Sequence, residues 1–378
     1  MRTSFLPALC VGLFLLMHNV CLGQAQQAED CINSLLKQDK VAGLSVAVVK
    51  KGKIIYTHSF GLKNIEANTP LTDNDLFRIA SISKSFSATA IMQLVKAKKL
   101  SLDDDVSKWL GFKVSHPQFP GIAITVRMLL SHRSGITDSQ GYFTLDVINP
   151  GKNPEWAKCY ADYKPGTGYK YCNLNFNLAG AIIEKVSGER FDNYIRQHIT
   201  NPLGLYGGFC VDSLDNSRFA TLYEYDTGSG RFVPSPEAYA PRREQIANYT
   251  LGYSTPVFSP AGGMKITAAD LARYMTMHVN YGRYKGKRII SKKSAKLMQA
   301  SIDGNYGYGL ALTAHDSLIN GKILIGHTGS AYGLSSAMFF EPKEKFGIVA
   351  IYSGYYAEEP GGMRRLFTCL YEHLIRKK

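Results

Sequence analysis

The sequence predicts a mixed α/β (α+β) fold: an antiparallel sheet built from both chain ends, flanked by helices, plus a mostly helical lobe. Near the N-terminus, residues 43–49 alternate as in a strand, and a turn at 50–53 leads into a second strand that ends at Phe60. Four more strand-like segments in the last third lie at 308–314, 322–327, 335–341 and 346–352. Between them, residues 81–259 favour helices and long loops. Strands at both ends with helices between them imply one shared sheet.

The chain is long enough to bury a large core and could hold one or two domains. Helices are expected at 27–38 and at 361–375, near the two ends. We assign residues 1–23 to a leader and 24–378 to a single domain. Its sheet lobe comprises about 27–80 and 300–378 and its helical lobe about 81–260. The cleft between the lobes is expected to hold Ser81.

The N-terminal residues have the pattern of a secretory signal peptide. Arg2 precedes an almost wholly apolar run at 5–17, and small residues follow at Gly23 and Ala25. The run is too short for a membrane span and is placed like a leader. We expect cleavage near the small residues and export of the mature protein, either to the periplasm or as a secreted protein.

A hydroxyl and an amine are one helical turn apart in the segment Ser81-Ile82-Ser83-Lys84. Positions i and i+3 of a helix share a face, so the Lys84 amine can hydrogen-bond the Ser81 hydroxyl. A serine is a poor nucleophile until an adjacent base activates it. In the first turn of a helix, unpaired backbone N–H groups and the positive end of the dipole would also surround the serine oxygen. The segment is therefore a candidate nucleophile site.

Ser-x-x-Lys is a weak pattern when taken alone. It recurs from Ser34 to Lys37, where it is typical of the polar face of an amphipathic helix. The flanks of Ser81 are different, because apolar residues dominate both 76–80 and 86–95. This predicts a buried helix. A buried lysine is costly unless its charge is lowered or partnered, which favours a functional Lys84.

Two further segments carry candidate chemistry. In Tyr171-Cys172-Asn173, a tyrosine held near a cationic lysine can act as a base and then as the acid for the leaving group, and Asn173 could orient Lys84 and a substrate amide. In His327-Thr328-Gly329, which follows a strand-like run, the glycine permits close approach of the backbone to a ligand. Taken singly, a core tyrosine and a histidine at a strand end are the commoner explanations.

Together and in this order, these segments resemble the serine β-lactamase-like superfamily of penicillin-recognising enzymes. The resemblance covers nearly the whole mature chain, and the branch most similar to it holds class C β-lactamases, DD-peptidases and related esterases. It implies the β-lactamase/transpeptidase-like fold. The matching segments are 77–84 (Phe-Arg-Ile-Ala-Ser-Ile-Ser-Lys), 129–135 (Leu-Leu-Ser-His-Arg-Ser-Gly), 165–173 (beginning Pro-Gly-Thr and ending Tyr-Cys-Asn), 261–272 (beginning Ala-Gly-Gly), 308–310 (Tyr-Gly-Leu) and 327–329 (His-Thr-Gly).

The resemblance also implies a role for each residue. Ser81 would attack a carbonyl and become acylated, while Lys84 and Tyr171 would share the general-base work. Asn173 would position the substrate amide. The oxyanion hole would be formed by the backbone N–H groups of Ser81 and Ser330. His327 and Thr328, in the 327–329 segment with Gly329, would contact the carboxylate of the substrate or its equivalent.

One departure from the family pattern concerns His327. Many members that recognise penicillins or D-alanyl peptides have lysine at this position, whereas many related esterases have histidine. A neutral imidazole is a weaker anchor for a carboxylate than a permanent ammonium, which argues against efficient β-lactamase activity. The chain has no Ser-Asp-Asn segment, and it has no Gly-x-Ser-x-Gly nucleophile elbow of an α/β-hydrolase.

The sequence therefore predicts an exported serine hydrolase that acts through an acyl-enzyme on Ser81. Expected substrates are D-alanyl peptides, β-lactams and small esters or amides. One alternative is an acyltransferase of the same fold, which would pass the acyl group to an alcohol or amine. A second alternative is a non-catalytic receptor for cell-wall fragments. The fold can host all three, so it does not choose among them.

Five cysteines remain after the predicted leader: Cys31, Cys159, Cys172, Cys210 and Cys369. An exported protein can form disulfides, and an odd number leaves at least one cysteine outside any intrachain pair. We expect Cys172 to be free because it lies between two candidate site residues. The resemblance packs the first and last helices on one face of the sheet, which favours a disulfide between Cys31 and Cys369.

The formal net charge is +14. This excess favours weak encounters with anionic envelope surfaces, although a surface of solvated lysines is the simpler interpretation. No nucleic-acid-binding motif is present, and we expect no cofactor. We also expect no metal, because histidines such as His58, His132 and His278 are isolated from any suitable ligand cluster. The expected partner is a small-molecule or peptide substrate, and the sequence does not indicate an oligomeric state.

Overall fold

The computed structural model describes residues 7–302, 309–357 and 359–376, with side chains described from Gly23 onward. Its strands fall into one large sheet and three small ones. In chain order the strands are β1 (Lys40–Lys50), β2 (Lys53–Asn64), β3 (Thr69–Pro70), β4 (Phe77–Arg78), β5 (Gly207–Gly208), β6 (Tyr223–Asp226), β7 (Arg231–Pro234), β8 (Lys265–Ile266), β9 (Arg283–Tyr284), β10 (Lys287–Arg288), β11 (Thr313–His315), β12 (Leu324–Ala331), β13 (Leu334–Glu341) and β14 (Phe346–Tyr356).

The large sheet is antiparallel and has the strand order β11-β12-β13-β14-β1-β2-β3. Its centre joins the two ends of the chain, because β1 pairs with β14 over a register that includes Val46 opposite Ala350. The predicted mixed fold with one antiparallel sheet from both chain ends is therefore confirmed.

Helices cover both faces of this sheet. In chain order they are α1 (Pro7–Gln38), α2 (Ser83–Lys96), α3 (Ser107–Leu110), α4 (Val126–Leu130), α5 (Leu174–Ser187), α6 (Phe191–Ile195), α7 (Asn201–Leu203), α8 (Arg243–Ala247), α9 (Ala268–Val279), α10 (Lys292–Gln299) and α11 (Gly362–Leu370). A π-helical turn at Tyr371–Ile375 extends α11. Helices α1 and α11 pack together on one face, whereas α9 packs on the other, against β1 and β14.

Strand β1 shows why the sheet has two covered faces. Successive side chains of a strand point to opposite faces. Leu44, Val46 and Val48 accordingly join the core under α1 and α11, while Ala47 and Val49 join the larger core that contains the helical lobe. All five are buried. The near-continuous apolar run of β1 thus reflects burial from both sides.

The structure differs from the sequence prediction at several boundaries. Helix α1 begins at Pro7 rather than near residue 27, since the apolar run that precedes residue 27 belongs to the same helix. Within 81–259, where helices and long loops were expected, β6 and β7 instead form a hairpin across the turn 227–230. The strand expected at 308–314 is β11, Thr313–His315, and residue 308 lies outside the described residues.

Cys31 of α1 and Cys369 of α11 form a disulfide, with their Cα atoms 6.3 Å apart. This confirms the expected pairing of the first and last helices on one face. Cys172 is free, as expected, and it is buried. Cys159 and Cys210 are also free and buried. The bridge links two elements at opposite ends of the chain, a loop closure that disfavours the unfolded state.

The predicted leader falls partly on residues 1–6, which lie outside the described residues, and partly on the first turns of α1. None of the described helices combines the length and the apolar character needed to cross a membrane.

Candidate active site

Ser81 lies at the entrance of the buried helix α2. A one-turn 3-10 helix at Ala80–Ile82 leads directly into α2, so Ser81 is in the first turn, where backbone N–H groups lack intrahelical partners. Ala80 immediately before it has φ of 47°, in the left-handed region that non-glycine residues rarely adopt. Strained backbone of this kind is common at functional sites. Ser81 remains partly exposed, while 83–92 are buried.

The Lys84 amine contacts three oxygens. Its Nζ lies 3.1 Å from Ser81 Oγ, 2.8 Å from Asn173 Oδ1 and 2.8 Å from the carbonyl oxygen of Ala261. Ser83 and Ser87 of α2 tie the segment carrying Ala261 to the helix, since Ser83 Oγ accepts from the N–H of Met264 and Ser87 Oγ donates to the carbonyl of Pro260. The one-turn spacing anticipated from the sequence thus brings Lys84 to Ser81.

Burial lowers the pKa of Lys84 from its ordinary value to about 7, and the charge of Asp138 partly opposes that shift. No solvent reaches the side chain, which is 0% exposed. A lysine whose pKa lies near neutrality is neutral in a large fraction of molecules at pH 7. It can therefore accept a proton from the hydroxyl that it contacts.

Tyr171 makes the second contact to the serine. Its Oη donates to Ser81 Oγ at 2.7 Å, and the Lys84 Nζ lies 4.8 Å from the centre of its ring. The His132 ring stacks on Tyr171 with centroids 4.4 Å apart, and His132 Nδ1 accepts from the N–H of Cys172. Burial, then the charge of Lys84, keeps the pKa of His132 well below its usual range, so the imidazole is neutral. His132 thus supports Tyr171 without adding a charge.

The Asp138 carboxylate fixes the position of Asn173. Asp138 accepts from the backbone N–H of Asn173 at 2.8 Å and from its Nδ2 at 2.9 Å. Asp138 also accepts from the N–H of Leu174, the first residue of α5, at 2.9 Å. Asp138 was not anticipated from the sequence, because a lone aspartate in a loop matches no motif. His132 lay in a matched segment, the 129–135 run, but had no assigned role.

Strand β12 forms the opposite wall. Ser330, Ala331 and Tyr332 line the same cleft as Ser81, so the wall begins one residue beyond the 327–329 segment. Gly329 lies against the backbone before Ser81: a Cβ at this position would be 2.3 Å from the carbonyl oxygen of Ile79. This close approach brings the strand to the start of α2, as the oxyanion-hole hypothesis requires.

His327 and Thr328 are in different environments. His327 is buried, 6.3 Å from Tyr171 between ring centroids, and its Nδ1 hydrogen-bonds the carbonyl oxygen of Thr328. Burial, then Lys84, lowers the pKa of His327 to about 4. It is therefore neutral at neutral pH and offers no charge to a carboxylate. Thr328 is exposed.

The cleft has a cationic and aromatic lining. Arg78 lies in its wall, where Nε donates to the carbonyl oxygen of Gly262 at 2.9 Å and the guanidinium carbon is 4.9 Å from the centre of the Tyr332 ring. Within the described residues, Arg78 forms no ion pair with a carboxylate. Tyr142 and Phe143 line the mouth, and Phe143 is 75% exposed.

One group in the described part of the chain has the spacing of metal ligands: Cys31, Cys369 and His373. Two of these three are the sulfurs of the disulfide, which cannot ligate as thiolates in that state. The group lies on the α1 and α11 face, away from Ser81.

This arrangement of an antiparallel sheet, a helical lobe and a serine contacted by lysine and tyrosine defines a class of serine hydrolases. The chain belongs to the beta-lactamase family, whose sequence model matches residues 28–368. It is an enzyme of that serine hydrolase class.

Among similar sequences, penicillin-binding protein 4 of Amycolatopsis lactamdurans is 28% identical over 342 residues, which cover 85% of this chain and 83% of the relative. Penicillin-binding protein 4* of Bacillus subtilis is 29% identical over 315 residues, or 78% of this chain and 64% of the relative. The chain thus spans less than two thirds of the length of the second relative.

Two solved structures have similar folds. The octameric penicillin-binding protein homologue from Pyrococcus abyssi has a TM-score of 0.69 and 31% identity, covering 87% of this chain and 73% of its own. D-amino acid amidase from Ochrobactrum anthropi SV3, complexed with D-phenylalanine, has a TM-score of 0.71 and 21% identity, covering 93% and 99%.

Proposed function

We propose that this enzyme is an exported hydrolase that forms an acyl-enzyme on Ser81 from D-alanyl peptides, β-lactams or small esters and amides. The observation that carries the proposal is the pair of hydrogen bonds to Ser81 Oγ, from Lys84 and Tyr171. An adjacent base is what turns a serine into a nucleophile. The same contacts argue against a receptor that only binds cell-wall fragments.

Acylation begins when Ser81 Oγ attacks the carbonyl carbon of the substrate. The hydroxyl proton passes to the neutral amine of Lys84, directly or through the Tyr171 hydroxyl. The oxyanion forms between the N–H groups of Ser81 and Ser330, and losing one such donor costs about 3 kcal/mol. Tyr171 then gives a proton to the leaving group as the bond between the carbonyl carbon and that group breaks.

Deacylation repeats the sequence with water. Tyr171, backed by Lys84, takes a proton from the water, whose oxygen attacks the acyl carbon. The ester bond to Ser81 breaks, and the serine oxygen takes back the proton held since acylation by the Lys84 ammonium, which lies in contact with it. Asn173 donates or accepts at the substrate amide while its Oδ1 holds Lys84.

Arg78 supports substrates that carry a carboxylate. A partly buried guanidinium in the cleft wall stays protonated, and a bound anion would compensate its desolvation. His327 is neutral, so the 327–329 segment does not supply that charge. D-alanyl peptides and penicillins have such a carboxylate, as do monoesters of dicarboxylic acids.

A second candidate function is acyl transfer to an alcohol or amine. Tyr142 and Phe143 present apolar rings at the cleft mouth, where an apolar acceptor could displace water. A structure of similar fold is that of EstCE1, a hydrolase with promiscuous acyltransferase activity, with a TM-score of 0.68 and 22% identity over 93% of this chain and 99% of its own.

Export rests on the sequence pattern of residues 1–23 and on the disulfide between Cys31 and Cys369. Disulfides persist mainly in oxidising compartments. N-terminal sequencing of the protein recovered outside the cytoplasm tests this part of the proposal. Cleavage near Gly23 or Ala25 supports it, and an intact N-terminus on cytoplasmic protein contradicts it.

The substrate proposal is tested by product analysis. The mature enzyme is mixed separately with a penicillin, a D-alanyl-D-alanine peptide and an activated short ester, with and without a primary alcohol. Hydrolysis of any of them that needs Ser81 supports the proposal, and a preference for the alcohol over water favours the acyltransferase. No turnover of the whole panel contradicts it.

A further inference from the structure

Asp138 forms a compact set of hydrogen bonds behind the catalytic cluster. Its Oδ1 accepts from the Cys172 thiol at 3.2 Å and from the N–H of Leu174 at 2.9 Å. Its Oδ2 accepts from the N–H and the Nδ2 of Asn173 at 2.8 and 2.9 Å. One carboxylate thus fixes three consecutive residues, which directly follow Tyr171.

These contacts determine which way the Asn173 amide faces. A side-chain amide has a donor end and an acceptor end. Because Nδ2 donates to Asp138, Oδ1 is left to accept from Lys84 Nζ at 2.8 Å. The reverse orientation would place an NH₂ group against the lysine amine and an oxygen against the carboxylate. Asp138 therefore excludes the orientation that Lys84 cannot use.

Asp138 is also the source of negative charge for Lys84 among the described residues. The other titratable groups near Lys84 are Tyr171, His132, His327 and Cys172. Burial keeps both imidazoles neutral. Burial also raises the pKa of the Cys172 thiol well above its usual range, so the thiol remains protonated. Asp138 is left to oppose the effect of burial on Lys84.

We propose that Asp138 is a positioning residue: it locks the Asn173 amide toward Lys84 and places a carboxylate charge behind that amide. The inference rests on the proposed role of Lys84 as the base for Ser81. Asp138 itself does not touch the reacting atoms. A purely structural role, as a cap for α5, would affect stability but not the protonation of Lys84.

The test compares Asp138→Asn with Cys172→Ala. The first keeps the shape of the side chain and removes the charge, whereas the second removes one of the four hydrogen bonds and keeps the carboxylate. The pH dependence of kcat/KM for an activated ester reports the ionisation of the free enzyme. We expect Asp138→Asn to move the acid limb of the profile to lower pH. The plateau value of kcat/KM should fall about 10- to 100-fold, the loss of rate that follows when a catalytic group is misplaced. Cys172→Ala should leave the limb where the wild type has it.

A second measurement does not depend on turnover. The Lys84 resonance of protein labelled with ¹³Cε-lysine, assigned with Lys84→Arg, gives the lysine pKa directly. We expect the Lys84 pKa to fall in Asp138→Asn. Asp138→Ser retains an acceptor for the N–H groups and replaces Asp138→Asn if that variant does not fold; the same fall is expected in it.

An unchanged Lys84 pKa in the folded variants would overturn the inference, as would an acid limb that coincides with the wild type. The proposed function fails separately. If the wild type acylates no ester while the Lys84 pKa still falls in the variants, the charge coupling stands and the role of Ser81 does not.

Discussion

Lys84 Nζ lies 3.1 Å from Ser81 Oγ inside a protein core where the lysine side chain is fully buried. A permanently charged amine would be costly there, and burial accordingly lowers the pKa of Lys84 to about 7. Burial destabilises the charged form of the lysine and so brings its pKa into the range that a proton acceptor needs at neutral pH. The contact with Ser81 then determines which hydroxyl loses its proton.

The pH profile should report this lysine. Lys84 has a pKa below its usual 10.5, so the amine is neutral above about pH 7 and an ammonium below it. We therefore expect kcat/KM for a neutral ester to rise through about pH 7 and then level off. Rates measured from pH 5 to 9 with a substrate that does not titrate check this. A profile that is flat across this window contradicts the assignment of Lys84 as the base.

Replacing Tyr171 with phenylalanine removes the hydroxyl that donates to Ser81 Oγ and keeps the ring that His132 stacks on. We expect acylation and deacylation both to slow by about 10²- to 10⁴-fold, the range for one acid–base group. Stopped-flow and steady-state rates with one ester separate the two steps. Unchanged turnover would remove Tyr171 from the mechanism.

Gly329 permits the contact between β12 and the start of α2. A Cβ there would meet the carbonyl oxygen of Ile79 at 2.3 Å and Ser336 Oγ at 2.5 Å. Gly329→Ala should push Ser330 away from Ser81 and lower kcat about 100-fold, close to the loss of one oxyanion donor.

Gly121→Ala is the matched control for that variant, because a Cβ at Gly121 meets no atom within 4 Å. Its kcat should equal that of the wild type. Equal kcat values for both alanine variants would show that the approach of β12 does not matter to the reaction.

Arg78 should discriminate between charged and neutral substrates. Arg78→Gln removes a cation from the cleft wall, and a hydrogen bond to a charged group contributes about 1.5–3 kcal/mol. We expect kcat/KM to fall about 10- to 100-fold for an ester bearing a carboxylate on either its acyl or its leaving group. The carboxamide analogues should be affected much less.

The comparison between paired substrates within one variant separates this effect from general damage. Arg127→Gln serves as a charge-matched control, since Arg127 pairs with Asp103 away from the cleft. Equal losses for the carboxylate and carboxamide esters would argue that Arg78 has a structural role only.

Much of the sheet could be predicted because its signals are local. Apolar and β-branched residues indicate β1, and the glycine and lysines at 50–53 indicate the turn into β2. The β6–β7 hairpin was missed because the glycine- and serine-rich segment between its strands resembles an ordinary loop.

The candidate site, like the sheet, could be predicted from the sequence only in part. The contact of Lys84 with Ser81 follows from helical spacing alone. Tyr171 and Asn173 were candidates from their residue chemistry, and the family resemblance supported their roles. Asp138 could not be predicted, because its role depends on how the loop that carries it meets the start of α5 in three dimensions. No spacing rule in the sequence relates those two segments.

Locating the acyl group tests the role of Ser81 as nucleophile most directly. The enzyme is mixed with an activated ester, quenched in acid during the burst, digested, and mapped by mass spectrometry, with Ser81→Ala treated in parallel. We expect one acyl group on the peptide that contains Ser81, and none in the variant. An adduct on another residue, or equal labelling of Ser81→Ala, would contradict that role.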